Sequence, residues 1–221
     1  MLSQTIGRIC RAILNFMVRG LSRLGVSPNV LTFVGFLITL LAAWFLAQGR
    51  FFDAGIVIIF SGIFDMLDGR VARVTRTESP FGAFFDSVLD RYSDMALFLG
   101  LLIHYARAEQ MTYLVLSGIV MIGAVMTSYT RARAESLIER CKVGFMERPE
   151  RLVLIIIGAL SGRMAPVLWV MAVMSNLTVI HRIVYTWKQA PRESPAEQPA
   201  PSPSSDPSPP KPHESAPQSL H

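Results

Sequence analysis

Residues 64–90, FDMLDGRVARVTRTESPFGAFFDSVLD, place four aspartates in or beside sequence that otherwise reads as membrane-spanning helix. Asp65 and Asp68 are three positions apart, and Asp86 and Asp90 are four apart. Each pair therefore lies on one face of a helix. Between the pairs, Glu78-Ser79-Pro80 followed by Gly82 is a turn signal, which predicts two helices folding back on each other. All four carboxylates would then face one site. Such a concentration of negative charge near a bilayer is too costly to persist without bound cations. Oxygen ligands of this kind suit hard divalent ions, Mg2+ or Mn2+.

The rest of the chain supplies the membrane context. Of 221 residues, 51% are hydrophobic and 17% charged, and the mean hydropathy of +0.40 exceeds that of an ordinary soluble domain. The net charge of +5 could suggest nucleic acid as a partner, but the basic residues cluster between apolar runs on alternate sides. That placement fits anionic lipid and phosphate substrates, with no nucleic acid.

Six spans are predicted. They run from about Val30 to Ala47, from Phe52 through the first aspartate pair, from Pro80 to Tyr105, from Met111 to Tyr129, from Leu152 to Leu160 and from Ala165 to Val184. The fifth has the weakest apolar run, and its helix is expected to begin in the polar segment before it. Proposed inner segments carry Arg70, Arg73, Arg76, Arg131, Arg133, Arg140, Lys142, Arg148 and Arg151, whereas the outer loops hold only Arg50, Arg107 and Arg163. This bias predicts a multi-pass protein of the cell (inner) membrane with both termini and the carboxylates on the cytoplasmic side. Cys10 and Cys141 fall on that side and are expected to be reduced and unpaired.

The fold class predicted is all-α, a polytopic membrane protein of six transmembrane helices plus an N-terminal interfacial amphipathic helix. Residues 1–25 form the juxtamembrane helix, with Ile6, Ile9, Ile13, Met17 and Leu21 at helical spacing among arginines. Residues 26–188 form the six-helix domain. Residues 189–221, which hold ten of the fourteen prolines, read as a disordered tail.

The aspartates complete the pattern D-x2-D-G-x2-A-R-x8-G-x3-D-x3-D as Asp65, Asp68, Gly69, Ala72, Arg73, Gly82, Asp86 and Asp90. Over roughly residues 5–188 the chain resembles the CDP-alcohol phosphatidyltransferases, integral membrane enzymes of phospholipid head-group synthesis. The resemblance implies two Mg2+ or Mn2+ ions held by Asp65, Asp68, Asp86 and Asp90, with Asp90 also the proton acceptor. It implies a nucleotide pocket of Pro28, Asn29, Thr32, Gly69, Arg73 and Ser79, CDP-diacylglycerol as donor, and a homodimer. Asn29 alone would serve equally as a helix cap, and Gly82 as a close packing point.

A second stretch, residues 128–154, is rich in arginine beside the carboxylates and suits an acceptor that itself carries phosphate. SYTRARAE, GFMERPERL and the Arg182 segment VIHRIVYTW are similar to the branch that makes phosphatidylinositol phosphate. The resemblance implies that Arg131, Arg151 and Arg182 hold the phosphate of myo-inositol 1-phosphate, the phosphorylated polyol. Arg131 stands where that branch has lysine, which keeps charge and alters hydrogen-bond geometry. Positive-inside topology alone would also account for these arginines.

Glycerol 3-phosphate is the alternative acceptor. That branch opens with a Thr-x-x-Arg helix start, and here Gly35 stands in place of the arginine. Two other classes use similar carboxylates. Intramembrane prenyltransferases lack the D-G-x2-A-R continuation, and an ion transporter would need no nucleotide pocket.

Overall fold

Ser27 starts the first described helix. Its side chain accepts a hydrogen bond from the Val30 amide at 3.4 Å, and Pro28 fills the first turn, where a missing N–H costs nothing. The structure, a computed structural model, describes Met17, Val18, Gly20 and residues 25–190. Its helices are α1 (Pro28–Ala47), α2 (Phe51–Thr75), α3 (Pro80–Arg107), α4 (Met111–Ala134), α5 (Arg148–Leu160) and α6 (Met164–Gln189), and no strand occurs among the described residues. The all-α expectation holds, and α5 begins in the polar segment before its apolar run, as predicted. Most of the N-terminal amphipathic segment, Cys10 and residues 191–221 lie outside the described residues. Within them, Met17 and Val18 pack on Leu31, Leu67 and Val71.

Three helices, α1, α4 and α6, are long and apolar enough to cross a membrane. Side chains such as Phe33, Leu37, Leu41 and Trp44 on α1 are exposed, the arrangement a lipid-facing surface requires. The 13 residues of α5 reach only about 20 Å, less than the ~30 Å of a hydrocarbon core.

The helices close a ring. α1 packs on α2 and α3, α2 on α5, α5 on α6, α6 on α4, and α4 on α3. α2 and α3 fold back across residues 76–79, which brings Asp65 and Asp90 to one arginine, yet the two helices make little direct contact. The reason is physical. The carboxylate-bearing halves of both helices face the same space, and like charges at close range oppose packing. Instead, both helices lean on α1, which leaves a cleft between them.

Small residues make the leaning possible. A Cβ on Gly100 of α3 would run into the Ala43 carbonyl oxygen of α1, a backbone atom that cannot rotate away. Gly100→Ala is therefore expected to lower stability by about 1–3 kcal/mol, read as a drop in the thermal midpoint of the detergent-purified protein. An unchanged midpoint would mean that α1 and α3 can separate freely. Between α1 and α2, Ser61 Oγ donates to the Gly35 carbonyl at 3.1 Å and shares a hydrogen bond with Thr39 Oγ1. This polar tie sits one to two turns from the aspartates of α2.

Candidate active site

The turn between α2 and α3 sets the site. Arg76 ends α2 in the left-handed region (φ 54°), and the Thr77 amide donates back to the Ala72 carbonyl at 3.0 Å. Ser79 then caps α3, accepting from the Gly82 amide at 3.0 Å, with Pro80 in the first turn. Asp65 and Asp68 thus lie on the last turns of α2, and Asp86 and Asp90 on the first turns of α3.

Two cavities border these carboxylates. One, of about 250 Å3, is lined by all six residues expected to hold the nucleotide, Pro28, Asn29, Thr32, Gly69, Arg73 and Ser79, together with Asp68 and Asp86. Thr32 Oγ1 donates to Asp68 Oδ2 at 2.8 Å, and the Gly69 amide to Asp68 Oδ1 at 2.5 Å, which fixes that carboxylate against the helix end. The capping alternative for Asn29 does not apply, because Ser27 is the cap. Asn29 instead approaches Gly82, where an added Cβ would lie 3.2 Å from its Oδ1 and 3.1 Å from Ser79 Oγ. Gly82 is the close packing point. A methyl on Gly69 would meet only Arg73 Nη2, at 3.8 Å, so packing does not demand glycine there, and its open side is the cavity.

The second cavity, about 150 Å3, is lined by all three expected phosphate-binding arginines, Arg131, Arg151 and Arg182, and by Asp90 at its edge. The arginines do not stand free. Glu147 Oε1 accepts from Arg131 Nη1 at 3.0 Å and from Arg182 Nη2 at 2.9 Å. Arg151 Nη2 donates to Asp94 Oδ2 at 2.5 Å. Arg182 also donates to the carbonyls of Val143 (2.8 Å) and Thr127 (2.5 Å), so its guanidinium is fixed on three sides. Gly144 allows this approach. With φ +122° and an imaginary Cβ 2.5 Å from Thr178 Cγ2, it holds the loop flat against α6. The Phe145 and Met146 amides fasten the same loop to Thr178 Oγ1 at 3.2 and 3.1 Å.

Several residues of this site escaped the sequence reading. Arg148, the first residue of α5, donates through Nη1 to Asp65 Oδ2 at 2.7 Å and lies 2.9 Å from Asp90 Oδ1. Asp94 lies one turn past Asp90 and is buried, with Arg151 at 2.5 Å and Arg148 at 3.8 Å. Its signal was available: Asp86, Asp90 and Asp94 form one i, i+4 series entering an apolar run. Arg148 and Arg151 likewise share a helical face three residues apart. His104, by contrast, sits edge-on to Phe51 with ring centroids 4.8 Å apart, in an aromatic cluster with Tyr105. Cys141 is buried and free among the described residues.

No three acidic, histidine or cysteine side chains converge as a ready-made metal cage among the described residues. The donor set is nonetheless oxygen only, and a cation already sits within it, the Arg148 guanidinium bridging Asp65 and Asp90. The chemistry of the carboxylates fits a hard divalent ion.

Comparison with known proteins bears directly on this geometry. Residues 25–187 match the family described as CDP-alcohol phosphatidyltransferase. The chain belongs to that family. An archaetidylinositol phosphate synthase of Pyrococcus horikoshii is 38% identical over 165 residues, covering 74% of this chain and 85% of that protein. The crystal structure of Mycobacterium tuberculosis phosphatidylinositol phosphate synthase with CDP-DAG bound superposes with a TM-score of 0.76 at 33% identity, covering 80% of this chain and 95% of that one. The same enzyme in complex with manganese and citrate gives a TM-score of 0.74, covering 80% and 90%. This CDP-alcohol phosphatidyltransferase is an enzyme and a membrane protein, and the two cavities flank its family motif.

Proposed function

We propose that this enzyme transfers a phosphatidyl group from CDP-diacylglycerol to a hydroxyl of myo-inositol 1-phosphate, releasing CMP. The observation that carries the reading is the position of Asp90. It lies at the edge of the arginine-lined cavity, one turn of α3 from Asp86 on the nucleotide side. An acceptor held by its phosphate among Arg131, Arg151 and Arg182 would present a hydroxyl toward Asp90 and the donor's diphosphate. The inositol phosphate synthases among its relatives support the same acceptor.

Pro28, Asn29, Thr32, Gly69 and Ser79 receive the cytidine and its phosphates, and Arg73 pairs with the diphosphate or stacks on the base. Asp65, Asp68, Asp86 and Asp90 would hold the divalent cations, two Mg2+ or Mn2+ ions, which when bound neutralise the diphosphate and the departing CMP. Manganese in the mycobacterial relative supports this. Asp90 takes the proton as the acceptor oxygen bonds to the β-phosphorus. The bond from that phosphorus to the bridging oxygen breaks, and its electrons leave with CMP. The ionic contacts of Glu147 with Arg131 and Arg182 mark where the acceptor's phosphate would compete.

We also infer six membrane-embedded helices preceded by an interfacial helix, α5 reaching through only about two-thirds of the hydrocarbon core, with the site facing the cytoplasm at the inner membrane. The arginine-poor outer loops and the three strongly apolar helices support this. A homodimer follows from the family resemblance. Residues 189–221 form the tail.

The test is CMP release by purified protein with CDP-diacylglycerol and Mg2+, offering myo-inositol 1-phosphate, free inositol, glycerol 3-phosphate and serine separately. Release with inositol phosphate alone is expected. Release with glycerol 3-phosphate alone would keep the chemistry and overturn the roles given to Arg131, Arg151 and Arg182.

A further inference from the structure

Arg148 bridges two carboxylates from two different helices with a single nitrogen. Its Nη1 lies 2.7 Å from Asp65 Oδ2 on α2 and 2.9 Å from Asp90 Oδ1 on α3. The three side chains are about one-fifth exposed, so water screens this contact less than a surface ion pair. Nothing in the packing of α2 on α3 would hold those carboxylates together, because the helices make little direct contact. The tie is ionic and comes from α5, eighty-three residues along the chain from Asp65. Arg148 also lines the acceptor cavity, and its Nε is buried without a hydrogen-bond partner, 3.8 Å from Asp94 Oδ1. The guanidinium therefore has one hand on the motif carboxylates and an unsatisfied edge beside a second carboxylate.

We propose that Arg148 is the internal counter-cation of the Asp65/Asp90 pair, a positioning residue that keeps the two carboxylates converged and is displaced when a divalent cation binds there. The proposal rests on the reading that the motif aspartates hold divalent ions. A guanidinium and a dication compete for the same oxygen lone pairs, so each must lower the other's affinity, and the competition is reciprocal. Displacement has a place to go. Asp94 lies within reach of the Nε edge, and closing 3.8 Å to hydrogen-bond distance satisfies two buried atoms that now lack partners, Arg148 Nε and Asp94 Oδ1.

Asp86 and Arg91 on α3 also face this region, and the charged groups nearest Arg148 have places in the exchange. Asp65, Asp90 and Asp94 attract it, Arg151 shares Asp94 with it, and Glu147 precedes it while engaged with Arg131 and Arg182. Loss of its charge leaves the carboxylates to the metal alone.

The experiment is a titration of free Mn2+ by electron paramagnetic resonance against detergent-purified wild type, Arg148→Gln and Arg148→Lys, without substrates. Arg148→Gln is expected to bind Mn2+ about tenfold more tightly than wild type, since a competing unit charge near 3 Å is removed. Arg148→Lys keeps the charge without the planar fork and is expected to fall between the two. Mn2+ affinity in Arg148→Gln equal to or weaker than wild type overturns the proposal while leaving the metal reading intact. If Arg148→Gln fails to fold, an Arg148→Lys affinity no tighter than wild type does the same. No Mn2+ binding by any of the proteins would instead bring down the assignment of the aspartates, and this inference with it.

Discussion

Asp90→Asn is expected to cut CMP release by about 10²–10⁴-fold, the range typical of a lost general base, while folded protein still binds the nucleotide donor. The geometry gives Asp90 alone among the four motif aspartates a place on the acceptor cavity. Asp68 and Asp86 line the nucleotide cavity, and Asp68 is further committed to the Thr32 hydroxyl and the Gly69 amide. Asparagine preserves shape and can still accept from Arg148 through its amide oxygen, so the bridge to α5 is weakened rather than removed. What it cannot do is accept a proton. The decisive comparison is single-turnover CMP release against binding of a CDP analogue, both at saturating Mg2+. Binding within a few-fold of wild type with the rate collapsed supports the base. A rate within about tenfold of wild type, with metal and nucleotide still bound, would move the proton acceptor elsewhere on the cavity.

The sequence made the helices and the nucleotide cavity legible because both are written in local terms. Apolar runs bounded by Ser27-Pro28, Gly49 and Ser79-Pro80 placed the starts of α1, α2 and α3 within about two residues of where they lie. The fixed spacing of the aspartate motif put Gly69 and Arg73 beside Asp68, and the family resemblance added Ser79. The family resemblance brought Pro28, Asn29 and Thr32 from α1 to the same cavity. What stayed hidden depends on distant partners. Residues 64–90 carry the like charges that oppose packing of α2 on α3, but how far the helices splay is set by how each docks on α1. Arg148 read as one more inner-side arginine, since its partners Asp65 and Asp90 lie on other helices. The three arginines expected to hold the phosphate line one cavity, but the expectation left out its charge balance. Glu147 and Asp94 neutralise the arginines internally, and a run of basic residues in sequence gives no sign of that. Gly35 shows the same point in reverse. Its hydrogen side chain reads as a missing arginine in sequence, while in the fold a Cβ there would sit 3.1 Å from Asp65 Oδ1. Position 35 faces the carboxylate directly, and Arg148 supplies the cation from another helix.

Asp94→Ala is expected to destabilise the protein by about 3–5 kcal/mol, the cost of leaving one member of a buried ion pair alone. Arg151 is 1% exposed, and without Asp94 its remaining hydrogen bond is the 3.3 Å contact to the Met146 carbonyl. A charge so enclosed is poorly hydrated, unlike Arg131, whose side chain is 40% exposed and whose pairing with Glu147 should be worth about 1 kcal/mol or less. Asp94→Asn keeps an acceptor oxygen and should lose less. The thermal midpoint of detergent-purified protein measures both. The informative protein is the double variant Asp94→Leu/Arg151→Met. Replacing a buried ion pair with apolar groups of similar size is often neutral or stabilising, so the double variant should recover most of the stability lost in Asp94→Ala. Its activity should not recover. With Arg151 gone, the acceptor cavity loses one charge-assisted contact, worth about 10- to 100-fold in affinity for a phosphorylated acceptor. That loss should appear in KM for the acceptor and leave nucleotide binding unchanged. Recovery of stability together with a normal acceptor KM would make the Asp94–Arg151 pair a packing device and remove Arg151 from the phosphate pocket. Failure to recover stability would mean that the pair's geometry, including the Arg151 bond to the Met146 carbonyl that holds the start of α5, is itself required to close the ring.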